Sequence, residues 1–144
     1  MVTVRVKKLH PDAILPKKQT KGSAGADVYA IEDIGIPALS VKTVRLGLAV
    51  EVPENYELQI RPRSGLAANH SVTVLNSPGT IDSDFRGELQ VILANHKATP
   101  FMISKGDRIA QIVCQKIPLV YYEEVNHLES TSRGASGFGS TGRA

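Results

Sequence analysis

Apolar residues recur at every second position through most of this chain. That period fits an extended strand with one face turned inward, and it does not fit a helix. "VTVRV" sets Val2, Val4 and Val6 on one face against Thr3 and Arg5. "VRLGLAV" repeats the pattern with Val44, Leu46, Leu48 and Val50, and "YELQIR" sets Tyr56, Leu58 and Ile60 against Glu57, Gln59 and Arg61. "ELQVIL" and "RIAQIVCQKI" read as longer, more buried strands, and the last ordered strand is expected near "LVYYEEV". Turn signals fall between the runs at Pro37, Pro53-Glu54-Asn55, Pro78-Gly79, Lys105-Gly106-Asp107 and Pro118. Short strands with a turn every ten residues or so predict an all-β sandwich or barrel. The one helical stretch is "SGLAANHS", Ser64 to Ser71, a turn or two at most.

At 144 residues the chain reads as one domain with a real core. No apolar run approaches the ~18 residues of a membrane span, and the N-terminus lacks the apolar core of a signal peptide. A cytoplasmic location is therefore expected. The single cysteine, Cys114, fits a reducing compartment and is expected to be buried. The net charge of +3 suits an anionic partner. The basic residues are scattered and there is no Trp, so a small anion fits better than nucleic acid. His10, His70, His96 and His127 lack partners at zinc spacing, and no P-loop or nucleophile elbow is present.

Four segments are too polar for the strand pattern. "SAGADVYA", Ser23 to Ala30, has small residues that let the backbone approach something closely, or is simply a loop entering a strand. "RPRSGLA", Arg61 to Ala67, offers Arg63, Ser64 and the N–H groups of a helix start to an anion, or is an ordinary Ser-capped turn. "NSPGTIDSDFRGE" groups Asn76, Asp82, Asp84, Arg86 and Glu88 around a Pro-Gly turn with Phe85. It reads as a solvated hairpin, a metal loop short of oxygen ligands, or a site where one Asp acts as general base on water. In the tail, ten of the sixteen residues from Glu129 are Gly, Ser or Thr, the composition of a flexible linker. Yet that tail carries Arg133 and its one aromatic, Phe138.

Taken in order, "AGADVYA", "PRSGLA", "NSPGTIDSDFRGE", "GDRIAQ" and "RGASGFGSTG" resemble the five motifs of the trimeric dUTPases, over nearly the whole chain. The resemblance implies a jelly-roll-like β fold of the dUTPase β-clip type, with residues 1–128 as the β domain and 129–144 as a flexible arm. It implies a homotrimer with active sites at subunit interfaces, and Mg2+-assisted hydrolysis of dUTP to dUMP and pyrophosphate. Asp82 would activate the attacking water; the motif, not the composition, selects it over Asp84. Arg63, Ser64, Gly65 and Gln111 would contact the phosphates. Asn76, Gly79, Thr80 and Ile81 would read the uracil edge from a β-hairpin, with Phe85 under the deoxyribose. Asp27 would organise the metal through water. From the arm, Arg133 would grip the γ-phosphate and Phe138 would stack on uracil. Gly139, Ser140 and Thr141 would complete the contact. The family usually has Tyr where this chain has Phe85, which removes any contact made by a phenol. Two other readings stay open: a dCTP deaminase of the same fold, disfavoured by "GFGSTG", and a nucleotide-sensing module without turnover.

Overall fold

The computed structural model describes residues 1–140. These contain eleven strands and one helix: β1 (Arg5–Lys8), β2 (Ala26–Tyr29), β3 (Ile34–Ile36), β4 (Val41–Arg45), β5 (Leu48–Glu51), β6 (Tyr56–Arg61), α1 (Ser64–His70), β7 (Val72–Val74), β8 (Gly79–Ile81), β9 (Gln90–Asn95), β10 (Phe101–Ile103) and β11 (Arg108–Lys116). A four-stranded sheet runs β2-β11-β6-β8 and a three-stranded sheet runs β4-β9-β7, with β1-β5 and β3-β10 as flanking pairs. Every ladder is antiparallel. The architecture is all-β, as the two-residue period predicts, and jelly-roll-like, as the resemblance implies.

Alternation places the core. On β6, Leu58 and Ile60 are buried while Glu57, Gln59 and Arg61 form a polar ladder on the opposite face. In that ladder Gln59 Nε2 donates to Glu57 at 2.7 Å, and the Arg61 Nη2 donates to Gln59 Oε1 at 2.6 Å. Val44, Leu46, Leu48 and Val50 are all buried, as one strand would have placed them. Here Val44 belongs to β4 and Leu48 and Val50 to β5, with Leu46 in the link between them. Gly47 has φ +64, a left-handed conformation open to glycine, and it ends β4 before β5 begins. One buried polar side chain, Asn95, is fully used: its Nδ2 donates to the carbonyls of Ile36, Pro37 and Thr99, and its Oδ1 accepts from Lys97 N.

Two expectations are corrected. Cys114 is exposed: it lies opposite Leu58 in the β6–β11 ladder and lines an apolar groove of about 500 Å³ with Val4, Val6, Leu15 and Ile112. Partial burial in that groove pushes its thiol pKa above the ordinary value. "LVYYEEV" is not a strand, because no neighbouring strand supplies it with a ladder. Leu119, Tyr121 and Tyr122 in that stretch are almost fully exposed. Among the described residues no helix is long and apolar enough to cross a membrane.

Candidate active site

The first and second polar segments meet "GDRIAQ" of β11 at one corner of the four-stranded sheet. In register, Asp27 of β2 faces Gln111 of β11, and Gln111 faces Arg61 at the end of β6. The Asp27 carboxylate is nearly buried and lies between two guanidiniums, Arg63 Nε at 3.3 Å and Arg108 Nη1 at 3.2 Å. Arg63 also donates through Nη1 to the Arg108 carbonyl at 3.0 Å. A β-bulge between Arg108 and Ala110 breaks the simple alternation of β11 and brings Arg108 within reach of Asp27. Arg108 was missed from sequence, although it stands in the same segment as Gln111.

The close approach expected of "SAGADVYA" has a definite object. A Cβ on Gly25 would sit 2.3 Å from Gln111 Oε1, so only glycine leaves room for that amide. Gln111 Nε2 donates to the Pro62 carbonyl at 3.0 Å, tying β11 to the loop that presents Arg63 and Ser64. The Ser-capped alternative for that loop does not hold. Arg63 takes the N-cap position of α1 in extended conformation, with no side-chain cap. The Ser64 side chain is therefore not spent on capping.

The third segment is not a hairpin paired on itself. β7 pairs with β9 and β8 pairs with β6, so Leu75 to Pro78 cross from one sheet to the other. Gly79 is buried beneath Asn76: a Cβ there would meet Asn76 Nδ2 at 3.2 Å and Ile60 Cβ at 3.3 Å. Thr80 is exposed and Ile81 half-buried. Asp82 and Phe85 follow in an exposed turn in which Phe85 N donates to the Asp82 carbonyl at 3.2 Å. Glu88 has a structural task, accepting from Arg45 Nε and from Gly47 N. The charges of this segment are thus divided between scaffold and site.

Within one chain these groups do not all converge. Gly79 faces Ile60 and Ile81 faces Leu58, so β8 runs away from the Asp27 corner. Arg63 lies beyond the Arg61 end of β6, whereas Asp82 follows Ile81, which is paired with Leu58 nearer the other end. The three steps from Leu58 to Arg61 alone span about 10 Å at ~3.3 Å per residue. In the arm, Arg133 Nε donates to the Ser136 carbonyl at 2.9 Å and Phe138 is fully exposed. The hydrogen bonds of residues 129–140 are all local to the arm. Thr141 lies outside the described residues. Among the described residues no cluster of three or more His, Cys, Asp or Glu could hold a metal ion.

A cationic corner at one end of a β sheet and an Asp-bearing turn at the other are arranged in the chain order of the motifs. The family model described as dUTPase matches residues 11–142. The chain belongs to the dUTPase family. The deoxyuridine 5'-triphosphate nucleotidohydrolase of Helicobacter pylori strain J99 is 52% identical over 139 residues, covering 96% of each chain. That of Clostridioides difficile is 49% identical over 142 residues, covering 99% of each. Among solved structures, the dUTPase of Staphylococcus bacteriophage 80alpha with dUpNHpp superposes with a TM-score of 0.90 at 27% identity, over 98% of this chain and 99% of that one. A mutant dUTPase from phage phi11 of S. aureus, whose structure concerns a structural Mg(II) ion, shares the fold with a TM-score of 0.81 at 22% identity.

Proposed function

We propose that this chain hydrolyses dUTP to dUMP and pyrophosphate. The observation that carries the reading is the corner in which Asp27 holds Arg63 and Arg108 side by side next to Ser64. Two guanidiniums fixed before the substrate arrives offer a triphosphate oriented charge without reorganisation. Arg63, Ser64 and the Gly65 backbone take the phosphate chain. Gln111 contributes its remaining amide hydrogen there and holds the loop through Pro62.

Asp82 acts as the base for a water that attacks the α-phosphorus in line. Asn76 and the backbone of Gly79, Thr80 and Ile81 pair with the uracil edge, and this short crossing is stiff enough to exclude a thymine methyl by steric contact. Phe85 packs under the deoxyribose and leaves no room for a 2′-hydroxyl. The separation of Arg63 from Asp82 along β6 supports a site shared between copies of the chain. A homotrimer with sites at its interfaces provides one. Residues 1–128 form the β domain of each copy, and 129–144 form an arm that closes over a neighbour's substrate. Arg133 then meets the γ-phosphate and Phe138 the uracil face, with Gly139, Ser140 and Thr141 alongside.

The donor set fits a magnesium ion that arrives on the triphosphate. The one carboxylate at the corner, Asp27, is committed to two arginines, so it meets a hydrated ion only through water. When bound, the ion neutralises charge on the phosphate oxygens and fixes their conformation. A cytoplasmic location accords with the unpaired cysteine.

Pyrophosphate release is to be measured with dUTP, dTTP, dCTP and UTP in the presence of Mg2+. Activity confined to dUTP supports the assignment, and deoxyuridine products from dCTP replace it with a deaminase. Asp82→Asn is expected to abolish release while dUTP still binds; unchanged turnover in that variant removes Asp82 as the base.

A further inference from the structure

Gly87 has no conformational reason to be glycine. Its backbone is outside the left-handed region, so the main chain there accepts any L-residue. What forbids a side chain is one ring. A Cβ at Gly87 would lie 2.6 Å from Phe85 Cζ, 3.0 Å from Cε2 and 3.4 Å from Cε1, and these are its three nearest neighbours. The phenyl ring therefore folds back with its far edge resting on the bare Cα of Gly87, while 41% of the residue stays open to solvent.

The seat is braced on both sides. Arg86 Nη1 donates to the carbonyls of Ser83 at 2.7 Å and Phe85 at 2.9 Å, which fixes the backbone that carries the ring. Phe85 N donates to the Asp82 carbonyl, so the ring and the Asp82 backbone belong to one turn. On the far side Glu88 is anchored by Arg45 and by Gly47 N. The turn is held at each end, so the backbone that carries the ring is fixed and a Cβ at position 87 is met by movement of the ring.

We propose that Gly87 is a positioning residue for the substrate's sugar: its missing side chain sets the height of the Phe85 ring. The inference rests on the reading above that Phe85 packs under the deoxyribose. Any side chain at position 87 drives the ring off its seat by at least the 0.8 Å between 2.6 Å and the 3.4 Å of ordinary contact. The ring then intrudes into the space that the sugar occupies, or slides aside and ceases to support it. Either displacement weakens nucleotide binding while the chemistry at Asp82 keeps its groups.

Gly87→Ala, Phe85→Ala and the double variant decide the matter, each assayed as the intact full-length enzyme with dUTP and Mg2+, alongside thermal melting. Gly87→Ala is expected to raise KM for dUTP about tenfold or more, with kcat within about threefold, since a displacement near 1 Å is enough to spoil a bound geometry. The double variant is expected to have the KM of Phe85→Ala alone, because without the ring there is nothing to displace. If Gly87→Ala fails to fold, the double variant is expected to fold again; a double variant that stays unfolded overturns the proposal. So does an unchanged KM in Gly87→Ala, or a Gly87→Ala penalty that persists in full without the ring. Phe85→Ala tests the underlying reading separately. An unchanged KM there means that the ring does not meet the sugar, and the proposal falls with it.

Discussion

Replacing Asp27 by Asn keeps the shape of the side chain and removes its charge, and the structure says what each half of that change does. The backbone stays in place, because Asp27 N and O are both bonded to Lys17 at 2.9 and 3.0 Å and its strand remains paired with β11. The two guanidiniums lose their shared anchor. Removing one partner from a fully buried pair costs about 3–5 kcal/mol, whereas exposed pairs contribute ~0–1 kcal/mol. The carboxylate here is 11% exposed but the arginines are 25% and 43% exposed. Each pair therefore contributes about 1 kcal/mol, and the loss is about 2 kcal/mol. For a chain of this size that lowers Tm by about 4–8 °C. Melting without nucleotide or metal reads the ion pairs alone, and the gap between variant and parent narrows in molar salt. In the same variant Arg63 is no longer aimed, and kcat/KM for dUTP is expected to fall about a hundredfold. A Tm within 1 °C of the parent together with unchanged kcat/KM would refute the idea that Asp27 presets the corner.

Gly25→Ala forces Gln111 out of its seat and breaks its bond to Pro62, an overpacking defect of about 1–3 kcal/mol. Thermal melting checks it, and adding Gln111→Ala is expected to return part of the loss. Removing residues 131–144 is expected to leave Tm within about 2 °C, since the described part of that segment bonds only to itself. Pyrophosphate release by the truncated chain is expected to fall severely, and full activity would reduce the arm to a linker.

Strand identity was legible in the longer alternating runs, whereas the three-residue strands β3 and β10, which pair with each other, had too little pattern to be read, and "VTVRV" yields a strand only from Arg5, with Val2 exposed. "YELQIR" gave β6 and its buried face without adjustment, because period-2 alternation is the direct image of a half-buried strand. "LVYYEEV" carries the same propensity, yet propensity does not supply a neighbouring ladder, so it remains irregular. Cys114 followed the apolar character of its surroundings into a wrong expectation. It sits on a groove whose cover the chain does not provide. At the site, motif order named Asp27, Arg63 and Gln111, but not that all three knit together. That depends on the β2-β11-β6 register and on the bulge that delivers Arg108, and neither has a local signature. The hairpin expected around Pro78 failed for a related reason. Turn residues announce a reversal, and they do not say which sheet the next strand joins.

Gly47 has a consequence for how the molecule comes apart. The run Val44–Val50 leaves one sheet and enters another pair of strands at that residue, and Leu89 is stitched to both halves: it accepts from Leu46 N at 3.1 Å and donates to Leu48 O at 2.7 Å. Neither layer can peel open without dragging its neighbour. Opening in this region is therefore expected to be cooperative, and hydrogen exchange is expected to find the Leu46 and Leu89 amides among the slowest of the chain. A single left-handed residue thus makes two layers behave as one mechanical body.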